Sequence, residues 1–455
     1  MTLQQQMTHA AETILTQCLN LPSGAEIIIF ADETTMDTAN ILAEAALKLE
    51  LEAIVAYYSS PMQMALGSRG LAPKLQAALH EAAAALICLN GTPECLPFRN
   101  YVRQTGWNPN CKVAHMPGVS QSTLLLADVD YETLEIQCEM LALALAKGRQ
   151  IEISSWDQQG REYSLKAALD PWARLPIISD GIIQPGSWGN VPSGETYIAP
   201  LEGSAEGQIV INGSIPGYRI SPAEEIILHF KQGRLVDWTP AASLAGQRLQ
   251  KTQIEFARSH GDQNWANLAE IGLGANPRVQ ELTGNPLLDE KKYGTVHIAL
   301  GNNIDMGGET KSLIHCDMVC LSPRLSIDGK LVMEGNEIVL QPQDWCEDYQ
   351  EIEPPTAWHS EICVKYSAVN AHTDAKGRLK RLWDTSSGRV CSVPVGNDRT
   401  AQSAAAVYQL IQNAGPVSLN NLNRETHRFT HKQLLQLTYV LKLYGLINVY
   451  ENDYN

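Results

Sequence analysis

Two apolar runs, residues 294–301 and 312–321, are joined by Asn302-Asn303 and a Gly307-Gly308 pair. Both runs have strand character, and so short a connection asks them to lie side by side. Alternate residues of a strand share a face, so His315 and Asp317 point the same way while Cys316 points the other. His297 in the first run then brings a third polar side chain to the same place. Imidazole nitrogen with carboxylate oxygen is the ligand chemistry of zinc, manganese, cobalt or iron(II). Taken singly, each of these residues is more simply read as a satisfied core side chain of an ordinary sheet. Together, the His-x-Asp pair and a neighbouring histidine point to a metal centre.

The first 149 residues alternate between strand and helix. Strands are expected at 25–30, 52–59, 85–89 and 112–116, and helices at 7–18, 35–49, 74–84 and 131–147. That order predicts a doubly wound, mostly parallel α/β domain. The strand ending at Phe30 runs into Ala31-Asp32 and not into a Gly-x-Gly-x-x-Gly turn, so a dinucleotide cofactor is not indicated.

From residue 150 the pattern becomes mostly β. A hairpin is expected around Gln158-Gln159-Gly160, short strands at 207–212 and 234–238, and one helix at 241–260. A second hairpin, 324–339, turns at Asp328-Gly329. Residues 150–345 thus read as an α+β domain that carries the candidate metal ligands, the metal-binding catalytic domain of the resemblance given below. An acidic, Pro-bearing stretch at 341–355 marks a boundary. Residues 346–455 form a C-terminal α+β extension, in which helices at 401–414 and 430–444 and a strand at 445–450 suggest a winged-helix-like module over about 400–455. Its His427, Arg428, His431 and Lys432 are read as a solvated face, since a net charge of −16 disfavours nucleic acid and anionic membrane surfaces. A peptide or protein is the expected partner of this module.

No apolar run approaches the roughly 20 residues of a membrane span. The polar segment 1–17 carries no secretory pattern, so a cytoplasmic protein is expected. The ten cysteines include no Cys-x-x-Cys pair, and Cys88, Cys316, Cys320 and Cys363 read as buried small apolar residues.

Two acids stand in unusual settings. Glu195 follows the turn Gly189-Asn-Val-Pro-Ser-Gly194, and Glu270 precedes Ile271-Gly-Leu-Gly-Ala-Asn-Pro277, read as a Gly-rich bend. These segments, with Asp289-Glu290 leading to Gly294-Thr-x-His297-x-Ala-x-Gly301 and Gly307-Gly308 leading to Ser312-x-x-His315-x-Asp317, resemble the aminopeptidase T and aminopeptidase S family of metallopeptidases. The resemblance covers residues 150–340, and residues 1–150 are similar to that family's N-terminal α/β domain more loosely. It implies a homodimer in which Glu195, Glu270, His297, His315 and Asp317 hold a pair of divalent ions, with Glu195 or Glu270 as general base. The family places a tyrosine seven residues after the first histidine, where this chain has Ile304. The block is also similar to the 2,5-dihydroxypyridine ring-cleaving dioxygenases, which share the fold and hold one iron(II) by two histidines and a carboxylate.

The leading expectation is therefore a metal-dependent aminopeptidase-like hydrolase using zinc, cobalt or manganese. The alternative is a mononuclear iron(II) dioxygenase of a hydroxylated aromatic or heteroaromatic ring. A third reading is a binding protein whose metal site has decayed. His115, His229 and His260 are expected to be structural, little is implied for His359 and His372, and Arg278 is expected to form a surface salt bridge, with a substrate carboxylate as its other candidate partner.

Overall fold

The structure is a computed structural model. It describes residues 1–58, 71–90, 95–103, 108, 110–170, 174, 176–340, 363–366, 369–373, 379–384, 389–390, 398–419, 421–422, 429–443 and 447–450. The acidic boundary at 341–355, His359, His427 and Arg428 lie outside the described residues.

The N-terminal alternation folds as its pattern predicts. Strands Glu26–Asp32, Glu52–Tyr58, Ala84–Ile87 and Lys112–His115 pair in parallel, with Glu26–Asp32 between the second and third. Both faces of Glu26–Asp32 are covered, so six of its seven residues are buried, which is why it reads as an unbroken apolar run. The fifth strand comes from the Gly/Pro-rich stretch: Trp188–Asn190 adds in parallel beside Lys112–His115. Three residues with no apolar alternation gave no signal of this pairing.

The rest is antiparallel. One sheet of eight strands contains the hairpin Gln150–Trp156 with Glu162–Ala168 and the hairpin Arg324–Ile327 with Lys330–Glu334. Asp328 and Gly329 both take positive φ, 50° and 78°, as a tight hairpin turn requires. The expected helix at 241–260 is present over 244–259 with a π-helical turn, Gln250–Ile254.

The second antiparallel sheet carries the chemistry. Its order is Tyr218–Arg219, Ser214–Ile215, His315–Cys320, Val296–Gly301, Leu268–Gly274, Glu195–Ile198, Ile177–Ser179. Here one expectation is corrected: Leu268–Gly274 is a fully buried central strand and not a bend. Its one face supplies Ile271 and Leu273 to the main hydrophobic core, beside Ile298, Leu300, Cys316, Met318 and Ile198. Helix Tyr131–Lys147 is tied to this sheet by Thr196, whose hydroxyl donates to the Cys138 carbonyl at 2.9 Å.

In the C-terminal region, helices Asp398–Ala414 and His431–Leu443 are present. Strand Ile447–Tyr450 pairs with Cys363–Tyr366, which also pairs with Val417–Ser418. Parallel and antiparallel sheets with helices bear out the mixed α/β class. No helix among the described residues is long and apolar enough to cross a membrane.

Candidate metal centre

The polar face of the second sheet is built by register. Gly272 lies opposite His297, Ala299 opposite Asp317, Gly301 opposite His315, and Gly274 opposite Glu195. Every second residue faces the same side, so long polar side chains alternate with Gly or Ala across the strands. The small residues make the room. A Cβ on Gly272 would lie 2.0 Å from His297 Nε2, so the imidazole lies across that position.

All five residues expected from the sequence converge. Glu270 stands at the centre, with Oε1 3.0 Å from His297 Nε2 and Oε2 3.1 Å from His315 Nε2. Asp317 Oδ1 is 3.2 Å from His315 Nε2, and Glu195 Oε2 is 3.9 Å from His297 Nε2. His315 Nδ1 lies 2.8 Å from the Asn302 carbonyl oxygen, an acceptor only, so that nitrogen carries a hydrogen. Its Nε2 is then left facing two carboxylate oxygens. A proton or a cation must hold three such electron-rich atoms together, and a backbone carbonyl behind the histidine is the usual support of a metal ligand.

Two residues escaped the sequence reading. Glu290 and Lys291 follow the short helix Pro286–Asp289, and both are buried beside Glu195. The Lys291 ammonium donates to Glu195 Oε1 at 2.9 Å and to Glu290 Oε1. Backbone bonds fix the segment: Asn276 donates its N–H to the Lys291 carbonyl at 2.8 Å, and Tyr293 donates back to the Asn276 carbonyl at 3.1 Å. The signal that could have found them is Asp289-Glu290 itself, quoted as a motif but not given roles. Asp289 is structural, accepting from the N–H groups of Thr283 and Gly284 and from the Thr283 hydroxyl. Lysine went unread because its usual place is the surface.

The electrostatics follow from burial and contact. Burial alone would raise the Glu270 carboxyl, but hydrogen bonds from His297 and His315 overcome it and hold it at about 2. Burial opposes a charge on His297, yet the bond to Glu270 and the charges of Glu270, Glu195 and Glu290 lift it to about 9. Asp317 and Glu270 raise His315 well above its ordinary value in the same way, against burial. Glu290 is pushed up to about 8 by burial and then by the Glu195 charge. Glu195, Glu270, Glu290, His315 and Asp317 line a solvent-open cavity of about 670 Å³, with Asn190, Tyr197, Leu287, Asp305 and Met306 among its other walls, and His297 lies buried behind them.

Ligand-type atoms fall into two overlapping groups, each within 4.8 Å: Glu270, His297 and Asp317, and Glu195, Glu290 and His297. Among the described residues, Glu195 Oε2 and His297 Nδ1 are buried with no hydrogen-bond partner. The donor set fits a divalent cation. Ile304 is half exposed in a short helical turn, and its neighbours Asp305 and Met306 are the residues that reach the cavity.

Residues 185–345 match the family model of thermophilic metalloproteases (M29). This match spans both glutamates, both histidines and Asp317, and bears out the resemblance drawn from the motifs. A 2,5-dihydroxypyridine 5,6-dioxygenase from Pseudomonas putida KT2440 is 24% identical over 225 residues, 46% of this chain and 63% of that relative. Among solved structures, 2,5-dihydroxypyridine dioxygenase from Pseudomonas putida KT2440 superposes with a TM-score of 0.55 at 20% identity, over 75% of this chain and 99% of the other. Wild-type AmpT from Thermus thermophilus gives 0.52 at 16% identity, over 74% and 99%. Both show a shared fold.

The remaining sequence candidates sit elsewhere. His115 holds Asn190 Oδ1 at 2.8 Å, and burial together with Arg103 lowers its pKa to about 3, so it is neutral. His229 bridges Gln208 and Thr239, and His260 caps its helix with Nδ1 2.8 Å from the Phe256 carbonyl oxygen. Arg278 pairs with Asp128 at 3.0 Å, the surface salt bridge expected of it.

Proposed function

We propose that this protein is a metal-dependent hydrolase of the aminopeptidase type, cleaving a peptide or amide bond next to a free amine. The observation that carries the reading is the convergence of Glu270, His315 and Asp317 at the wall of an acidic, solvent-open cavity, with His297 buried against Glu270. The family match over these residues supports it. Glu270, His315 and Asp317, with His297, would hold the metal, which when bound polarises a carbonyl and lowers the pKa of a bound water.

The chain's own residues supply the rest. Glu270 orients both imidazoles through its two oxygens, which makes it a poor proton acceptor once the site is assembled. Lys291 holds both Glu195 and Glu290, and Glu195 is the more deeply buried of the two. Glu290 lines the cavity with its side chain still 10% exposed, and burial keeps its carboxyl close to neutrality. It is therefore the group suited to take a proton from water and return it to the leaving amine. The acidic walls, including Asp305, favour a substrate carrying an ammonium group.

Purified protein loaded with zinc, cobalt or manganese is expected to release N-terminal residues from short peptides and to spare their N-acetylated forms. No release across a broad peptide panel, with metal demonstrably bound, would sink the reading. One observation favours a second reading: His297, His315 and Asp317 form a two-histidine, one-carboxylate set on adjacent strands. This set suits an iron(II) oxygenase. Oxygen consumption with a hydroxylated heteroaromatic by the iron-loaded protein, and none of the peptide release, would decide for it.

A further inference from the structure

We infer that Lys291 is a built-in cation that takes the place of a second metal ion, so that the centre holds one ion per chain. This rests on the metal-site part of the function proposed above. Two places for a cation exist on the polar face of the sheet. At the first, ligand-type atoms of Glu270, His297 and Asp317 lie close together, with His315 Nε2 against Glu270 and Asp317, and among the described residues no lysine or arginine pairs with these acids. At the second, Glu195 and Glu290 approach His297 in the same manner, but there the Lys291 ammonium already bonds to both carboxylates.

Lys291 is positioned for this and for little else. Its side chain is completely buried, and the carboxylates of Glu195 and Glu290 are its hydrogen-bond acceptors. The backbone bond from Asn276 to its carbonyl fixes the base of the side chain against the neighbouring strand. A buried ammonium between two carboxylates replaces the charge that a dication would bring, and a dication placed beside it would meet unscreened repulsion. A point charge with several donors can bond both carboxylates at once, as Lys291 does with Glu195 Oε1 and Glu290 Oε1. Two consequences follow. Glu195 is an ion-pair partner and not a ligand of the metal. The first site is set apart, with a fixed positive charge on its flank and Glu290 held between that charge and the cavity.

The test is metal stoichiometry, read by equilibrium dialysis of the full chain against zinc or manganese followed by elemental analysis. The unmodified protein is expected to saturate at one ion per chain, and Lys291→Met, which keeps the length of the side chain and removes its charge, at two. Two ions on the unmodified protein would overturn the inference, as would a folded Lys291→Met that stops at one. Should Lys291→Met fail to fold, Glu195→Gln decides: it is expected to keep its single ion with affinity reduced by no more than about tenfold. Loss of that ion would show Glu195 to be a ligand and overturn the inference. Peptide release is not the readout, so a protein with one ion and no hydrolysis would sink the proposed function alone, and one with two ions and hydrolysis would sink this inference alone.

Discussion

At the scale of single residues, the centre depends as much on what is missing as on what is present. Gly272 carries no side chain because the His297 ring crosses its position, and a methyl group there would sit 2.0 Å from Nε2. Gly272→Ala is therefore expected to push the imidazole off Glu270 and to destabilise the protein by about 1–3 kcal/mol, the usual range for overpacking. Denaturant unfolding measures the second effect and metal content the first. Unchanged metal content would show that the ring does not need its place over Gly272.

At the scale of elements, the second sheet and the segment after it are held together by one amide. Asn276 is fully buried, and its Nδ2 donates to the Ser193 carbonyl at 2.6 Å and to the Leu126 carbonyl at 3.1 Å, while Oδ1 accepts from the Arg278 N–H at 2.8 Å. The segment after the strand carrying Glu270, the turn before Glu195 and the helical turn Leu125–Ala127 are thereby fixed to one another. Asn276→Ala leaves buried carbonyls unpaired and is expected to cost about 2–3 kcal/mol and to weaken metal binding. A loss under about half a kcal/mol would mean the backbone bonds alone suffice. Strand Val296–Gly301 and strand His315–Cys320 were legible because each has one apolar face against the core. Leu268–Gly274 was not, because its polar face had to be glycine to accommodate His297, and glycine-rich sequence reads as a turn.

At the scale of the whole molecule, the cluster links metal, protons and stability. Without metal, Glu270 is held at about 2, so its stabilisation is present above the ordinary carboxylate range near 4.3 and is lost as pH falls toward 2. His297 is raised to about 9, so its stabilisation is complete below the ordinary imidazole value near 6.5 and is lost as pH rises through 9. Metal-free protein is thus expected to be most stable between about pH 4.5 and 6.5. The net charge of −16 works in the same direction, since self-repulsion grows as the last protons leave. A metal ion competes with those protons, so the gain in Tm on loading is expected to widen with pH. Thermal melts of chelator-treated and loaded protein from pH 4 to 9 check this. A metal-free Tm that climbs between pH 6.5 and 9 would contradict it.

Sequence alone determined the elements whose pattern is local: the parallel strands between Glu26 and His115, the Asp328-Gly329 hairpin and helix Tyr131–Lys147, and it singled out the five polar residues Glu195, Glu270, His297, His315 and Asp317. The elements follow from period and turn chemistry, and His297, His315 and Asp317 from the rarity of paired histidine and carboxylate on a strand, while Glu195 and Glu270 were singled out by the resemblance of their motifs. Only the tertiary structure decided that Trp188–Asn190 completes the first sheet, that a glycine-rich segment is a central strand, and that Glu290 and Lys291 enter the centre. The reason is physical. A buried lysine is stable only where folding brings carboxylates to it, and Glu195, 96 positions away, leaves no trace beside Lys291 in the chain.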